Sequence, residues 1–309
     1  MITELTGVTA SAVAAEISRQ RRRQGSAAGM ALTLVIPTDE RNQHDAVQAA
    51  TEAGMEHPCR VLVVIPRAAK SAARLDAEVR VGGSAGPGET VVLRLYGPLG
   101  QHADSVVLPL LLPDAPVVAW WPGIPPPVPA ATPLGGLARR RVTDAAATPR
   151  TEATLAALAK AYSPGDTDLA WTRLSPWRTL LAAALDHPTE RITAAEVAAA
   201  RGNASAQLLC AWLTVRLGVP VTARASRGPG ITEVRLTTAR GDIALTRPDG
   251  VRAVLSRPGQ PDRGVALARR RTSDLIAEEL RRLDADEPYA ETLAALPKRA
   301  AAGKKAASR

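Results

Sequence analysis

Two tryptophans six residues apart, Trp171 and Trp177, stand beside Arg173 and Arg178 and just after the carboxylates Asp166 and Asp168, in a chain otherwise padded with alanine. A second pair, Trp120-Trp121, precedes Pro122-Gly123. The chain has five Trp, three Tyr and no Phe, so these two stretches concentrate its aromatic surface. An indole buries a large area at little entropic cost and a guanidinium forks onto carboxylates, which suits a recognition surface. The same properties suit a core. Trp120, Trp121, Asp166, Asp168, Trp171, Arg173, Trp177 and Arg178 are therefore candidates for partner binding or for packing at a domain junction.

Other chemistry is thinly supported. Asp166 and Asp168 have the separation of paired carboxylates, but they follow a Pro-Gly turn and precede a helix, where Asp is an ordinary capping group. No nucleophile or metal ligand lies near them in sequence. The four histidines are scattered at 44, 57, 102 and 187; the most concentrated candidate, His57-Pro58-Cys59-Arg60, reads as a helix stop at Pro58 with His57 capping the last carbonyls. Cys59 and Cys210 lack metal-ligand spacing and read as reduced, buried side chains. The glycine-rich run from Gly82 to Gly88 lacks the Gly-Lys-Ser/Thr of a phosphate loop and joins two strands rather than a strand and a helix. No catalytic, metal or cofactor site is assigned. On a later sheet, Arg224, Arg235 and Arg252 alternate with apolar residues, so one face can carry several guanidiniums, either solvated or offered to an acidic partner.

The elements that must position these residues fall into two groups. Residues 12–23 read as a helix; 30–37 and 60–66 are near-continuous apolar runs of strand length around a helical segment at 45–56, a βαβ unit with buried parallel strands. Strands follow at 77–81 and 90–96, a helix at 102–112, a strand at 117–121 and one more at 139–143. The N-terminal half is thus an α/β domain with a doubly wound mixed sheet. Helices at 151–161, 175–186 and 203–217 lead to five strands near 219–226, 231–238, 242–247, 251–256 and 263–269, whose turn signals recur about every ten residues as in an antiparallel meander. An amphipathic helix from Ser273 to Leu283, capped by Thr272 or Ser273, is expected on that sheet. The expected domains are 1–145 (α/β), 146–296 (α+β) and a basic disordered tail at 297–309.

The net charge of +9 is misleading until it is located, because Lys298, Arg299, Lys304, Lys305 and Arg309 supply more than half of it. A solvated tail accounts for it better than a nucleic-acid surface. The apolar runs are far shorter than the roughly 20 residues that cross a bilayer, and the N-terminus lacks a signal-peptide pattern. A cytoplasmic protein with neither membrane nor nucleic-acid partner is expected.

The strings Gly165-Asp-Thr-Asp-Leu-Ala-Trp-Thr-Arg-Leu-Ser-Pro-Trp-Arg178 and Leu110-Leu-Leu-Pro-Asp-Ala-Pro-Val-Val-Ala-Trp-Trp-Pro122 resemble the glucose-6-phosphate dehydrogenase assembly (OpcA) family. So do Glu56-His-Pro-Cys-Arg60, Leu75 to Val81 and Glu89 to Gly97, and the likeness spans nearly all of residues 1–295. The resemblance implies a non-catalytic protein that binds glucose-6-phosphate dehydrogenase as an assembly factor or allosteric activator in the oxidative pentose phosphate pathway, and an actinobacterial origin fits the Arg- and Ala-rich composition. It brings no assigned active site and leaves the oligomeric state open. Redox control does not carry over, since Cys59 and Cys210 fall in different expected domains. The alternative is a metabolite sensor that holds a sugar phosphate or nucleotide at the carboxyl ends of strands 30–37, 60–66 and 117–121.

Overall fold

The computed structural model describes residues 2–24, 29–82, 88–186 and 190–296. Residues 83–87 of the glycine-rich loop, His187 and the basic tail lie outside them. The chain divides into two compact units, residues 1–144, 165–167 and 271–285 in one, and 145–164, 168–270 and 286–309 in the other.

The first unit contains β1 (Ile2–Leu5), α1 (Ala10–Gln24), β2 (Leu32–Pro37), α2 (Gln43–Ala53), β3 (Cys59–Pro66), β4 (Arg74–Val81), β5 (Glu89–Tyr96), α3 (Ala103–Val107), β6 (Val117–Trp120), α4 (Pro133–Leu137) and β7 (Arg140–Thr143). Its sheet has the order β1-β4-β5-β3-β2-β6-β7-β8 among the described residues, the last strand being the short β8 (Asp166–Asp168). Strands β5, β3, β2, β6 and β7 run parallel, while β4 and β1 add an antiparallel edge. Central parallel strands are covered on both faces, and β2 and β3 are accordingly buried along almost their whole length. Val13 and Ile17 of α1 pack on Leu62, Leu93 and Val79. The helix expected at 102–112 is shorter: Pro109 has no N–H to donate and disfavours helical backbone before it, so α3 ends at Val107 and a 3-10 turn covers Leu108–Leu110.

The second unit holds α5 (Thr151–Lys160), α6 (Leu169–Thr172), α7 (Ser175–Leu185), β9 (Ala194–Ala199), α8 (Ala204–Leu217), β10 (Val221–Ala225), β11 (Ile231–Thr238), β12 (Gly241–Thr246), β13 (Arg252–Arg257) and β14 (Gln260–Ala266). Its sheet has the order β10-β9-β11-β12-β13-β14. The meander is real from β11 to β14, but its expected first strand is displaced. β10 runs parallel to β9 through the α8 crossover, and β9 sits between β10 and β11. The segment Ala-Ala-Glu-Val-Ala-Ala of β9 has the composition of a helix; packing against Leu209 and Leu213 of α8 overrides that preference.

The last assigned helix, α9 (Thr272–Arg281), is amphipathic as expected but belongs to the first unit. There Leu275, Ile276 and Leu280 are buried, and Ala46, Ala50 and Ala53 give α2 a smooth face on which α9 packs. Its N-cap is Arg271, whose backbone N–H donates to the Asp274 carboxylate at 3.0 Å, in place of Thr272 or Ser273. Arg140, 3% exposed, fastens this return: its Nε donates to Glu279 at 2.6 Å and its Nη1 to the Asp284 carbonyl at 2.6 Å.

Candidate functional site

The segment from Gly165 to Arg178 is built from its glycine outward. Gly165 has φ +94°, and a Cβ there would stand 2.4 Å from the Arg139 carbonyl oxygen, so only glycine lets β8 approach β7 this closely. The Gly165 carbonyl accepts the Arg141 N–H at 2.9 Å. Asp166 then forms an ion pair with Arg141, both nearly buried, while Arg141 Nη1 donates to the Ala138 carbonyl at 2.9 Å. Asp168 is fully buried. One of its oxygens caps α6 by accepting the Ala170 N–H at 2.8 Å, and the other accepts the Ala145 N–H at 2.9 Å. One carboxylate is thus engaged in an ion pair and the other in a helix cap.

The tryptophans are interior. Trp120, Trp121, Trp171 and Trp177 are all buried, and Trp121 joins the cluster formed with Val13 and Ile17. In the second unit the Trp171 Nε1–H donates to Asp286 Oδ2 at 2.8 Å, the Tyr289 ring lies 5.6 Å away, and the Arg178 guanidinium stacks 3.7 Å from the indole centroid. Tyr162 meets Tyr289 edge-on at 6.1 Å. A cation over a desolvated indole, with a charge-assisted hydrogen bond at the ring's edge, holds the ring in one orientation. Among the sequence candidates, Trp120, Trp121 and Asp166 fall in the first unit, and Asp168, Trp171, Arg173, Trp177 and Arg178 in the second.

Trp177 borders a pocket that sequence reasoning missed. Its volume is about 80 Å³, and its wall includes Arg173, Asn203, Ser205, Arg247, Arg269 and Arg270 with no carboxylate. Arg247 is 6% exposed and lies 5.0 Å from the Trp177 ring; its Nη1 and Nη2 donate to the carbonyls of Leu267 at 2.7 Å and Ile231 at 3.2 Å. Among the described residues its Nε–H has no acceptor. Burial holds the Arg247 guanidinium below its usual pKa, Arg269 pushes in the same direction, and Asp249 opposes both. The only sequence signal for this residue was an arginine at the very end of an expected alternating strand.

The remaining candidates have local explanations. The His57 backbone N–H donates to the Ala53 carbonyl at 3.3 Å, so the residue closes α2 as a helix stop. Cys59 is buried and its thiol is pushed up to about 12 by desolvation; Cys210 is also buried and not part of a disulfide. Glu89, fully buried, receives Arg21 at 2.6 Å and Arg60 at 2.7 Å, and Arg60 also donates to the Leu110 carbonyl. On the second sheet, Arg224 pairs with Glu196 and Glu233, and Arg235 pairs with Glu233 and Asp242, so that face is a solvated ladder of alternating charge. Among the described residues no group of three His, Cys, Asp or Glu could hold a metal ion, and no helix is long and apolar enough to cross a membrane.

Fold and site together define an α/β protein of two units whose concentrated aromatic and acidic residues are committed to internal packing, capping and ion pairing. The chain belongs to the OpcA family: residues 50–160 match the model described as the glucose-6-phosphate dehydrogenase subunit N-terminal domain, and residues 164–293 match the corresponding C-terminal domain. No curated protein matches the chain significantly. Among solved structures it is similar to KijD10, a 3-ketoreductase from Actinomadura kijaniata in complex with NADP and TDP-benzene, at 10% identity and a TM-score of 0.47 over 85% of this chain and 94% of that one. A likeness at that level carries no argument about activity.

Proposed function

We propose that this protein is a non-catalytic assembly factor and allosteric activator of glucose-6-phosphate dehydrogenase, acting in the cytoplasm to support the oxidative pentose phosphate pathway. The observation that carries this reading is the pair of consecutive matches to dehydrogenase-subunit domains across residues 50–293. The commitments of Asp166, Asp168 and Glu89 to ion pairs and caps, and of Cys59 to a protonated interior, support an accessory role. An activator shifts an enzyme only by binding one of its states better than another. In the second unit the buried indoles of Trp171 and Trp177 serve that task as a framework for their segment, in which Arg173 and Arg178 are half-buried; Trp120 and Trp121 are buried in the first unit.

The test is to mix the purified protein with the dehydrogenase from the same cell and to measure activity and co-elution. Both should rise in the presence of this chain; no change in either refutes the reading. Trp171→Ala and Arg173→Ala should weaken activation, and full activation by both variants with an undisturbed melting curve would remove this segment from the mechanism.

A further inference from the structure

The pocket beside Trp177 places positive charge where a folded protein ordinarily avoids it. A buried cation without a counter-charge is costly, and a buried donor without an acceptor calls for an explanation. Arg247 is 6% exposed, and among the described residues its Nε–H has no acceptor while its Nη1 and Nη2 donate to neutral carbonyls. Arg269 adds a second guanidinium to the same wall. Its position is set by packing: Gly250, at φ +76°, lies under the Arg269 stem, where an added Cβ would come within 3.2 Å of Cδ, and the Arg269 N–H donates to the Gly250 carbonyl at 3.2 Å. Asp249 is the acid that acts on Arg247, but its Oδ1 accepts the N–H groups of Val251 and Arg252 at 2.8 Å each.

The start of a full-length helix also lines the pocket, through Asn203 and Ser205. Asn203 caps α8 by accepting the Ala206 N–H at 2.8 Å, and the first-turn amides of Ala204 and Ser205 have no intrahelical acceptors. Ser205 donates its hydroxyl to the Ala170 carbonyl at 2.8 Å, which fixes this end of α8 against the Trp171 segment. Helix N-termini and guanidiniums favour the same ligand, a compact oxyanion. A volume of about 80 Å³ is enough to hold a phosphate group.

We propose that this pocket binds a phosphate, free or as the phosphomonoester of a small metabolite, with Arg247 and Arg269 supplying the charge and the N-terminus of α8 the amide donors. The proposal is independent of the association with the dehydrogenase. The site lies in the second unit, whereas the strand ends expected to hold a metabolite belong to the first.

The test is calorimetric titration of the full chain with inorganic phosphate and, separately, with glycerol 3-phosphate, at constant ionic strength and with acetate as the control anion. Saturable binding of one anion per chain, tighter than about 1 mM, is expected for at least one of the two, and tighter binding of glycerol 3-phosphate would mark the phosphomonoester as the ligand class. Arg269→Gln, an exposed substitution that leaves the fold intact, should weaken binding about tenfold, and Arg247→Gln should do so at least as strongly. Absence of saturable binding for both anions, or wild-type affinity in Arg269→Gln, overturns the proposal.

Discussion

Replacing Trp171 by Phe tests whether this indole is held by its polar edge and its cation as well as by its area. The substitution keeps an aromatic ring in a site only 1% exposed but removes the Nε1–H that donates to Asp286 at 2.8 Å. A hydrogen bond to a charged group is worth about 1.5–3 kcal/mol. The smaller ring also leaves a void and a weaker face beneath Arg178, which sits 3.7 Å from the present centroid; loss of part of the cation–π attraction adds about 0.5–1 kcal/mol. Asp286 retains the Tyr289 N–H at 3.0 Å, which limits the penalty of its lost partner. The expected destabilisation is about 3 kcal/mol, read from the midpoint shift in equilibrium urea unfolding followed by far-UV circular dichroism. A double-mutant cycle with Arg178→Met should return a coupling of about 0.5–2 kcal/mol. A total change below about 0.5 kcal/mol, or a cycle without coupling, would refute the reasoning, because ordinary surface substitutions reach that size.

Two further outcomes follow from the first unit. Glu89→Gln should destabilise by about 3–5 kcal/mol in the same unfolding assay, since it leaves the buried Arg60 without its counter-charge. The native Cys59 thiol should react with a thiol-specific reagent at pH 8 far more slowly than in urea-unfolded protein. As pH rises from the ordinary thiol value of 9.0 toward about 12, the unfolded thiol ionises while the buried one stays protonated, so this residue's share of stability should fall across that window and should be absent in Cys59→Ala.

Elements with a one-dimensional signature were legible. The apolar runs of β2 and β3, the βαβ unit around α2, the β4–β5 pairing, α8 and the turns of β11 to β14 could be placed because periodicity and turn chemistry act over a few residues. Features that depend on distant partners were not legible. β9 looks helical by composition, and β8 looks like a capping loop until Gly165 and Arg141 are seen beside it. The amphipathicity of α9 announced a buried face but not which surface covers it. Trp120, Trp121, Trp171 and Trp177 resolved as interior, a question their spacing left open, because a core and a contact surface select the same side chain. Arg247 was hidden for a related reason: arginine at the end of a strand reads as solvated, and only the tertiary structure shows it desolvated against Trp177.

The return of α9 to the first unit has a consequence for biosynthesis. A chain made from its N-terminus has the whole first sheet through β7 after 143 residues, yet residues 271–285 of that unit emerge only after most of the second has been made. At about 5–20 residues per second the wait is on the order of ten seconds. During it the alanine face of α2 is uncovered and Arg140 has no Glu279, so the nascent unit carries an apolar patch and an unpaired charge that the finished protein hides. A stop codon ahead of Thr272 would make that interval permanent, and the truncated product would be a substrate for chaperones and proteases although every residue before the stop is correct.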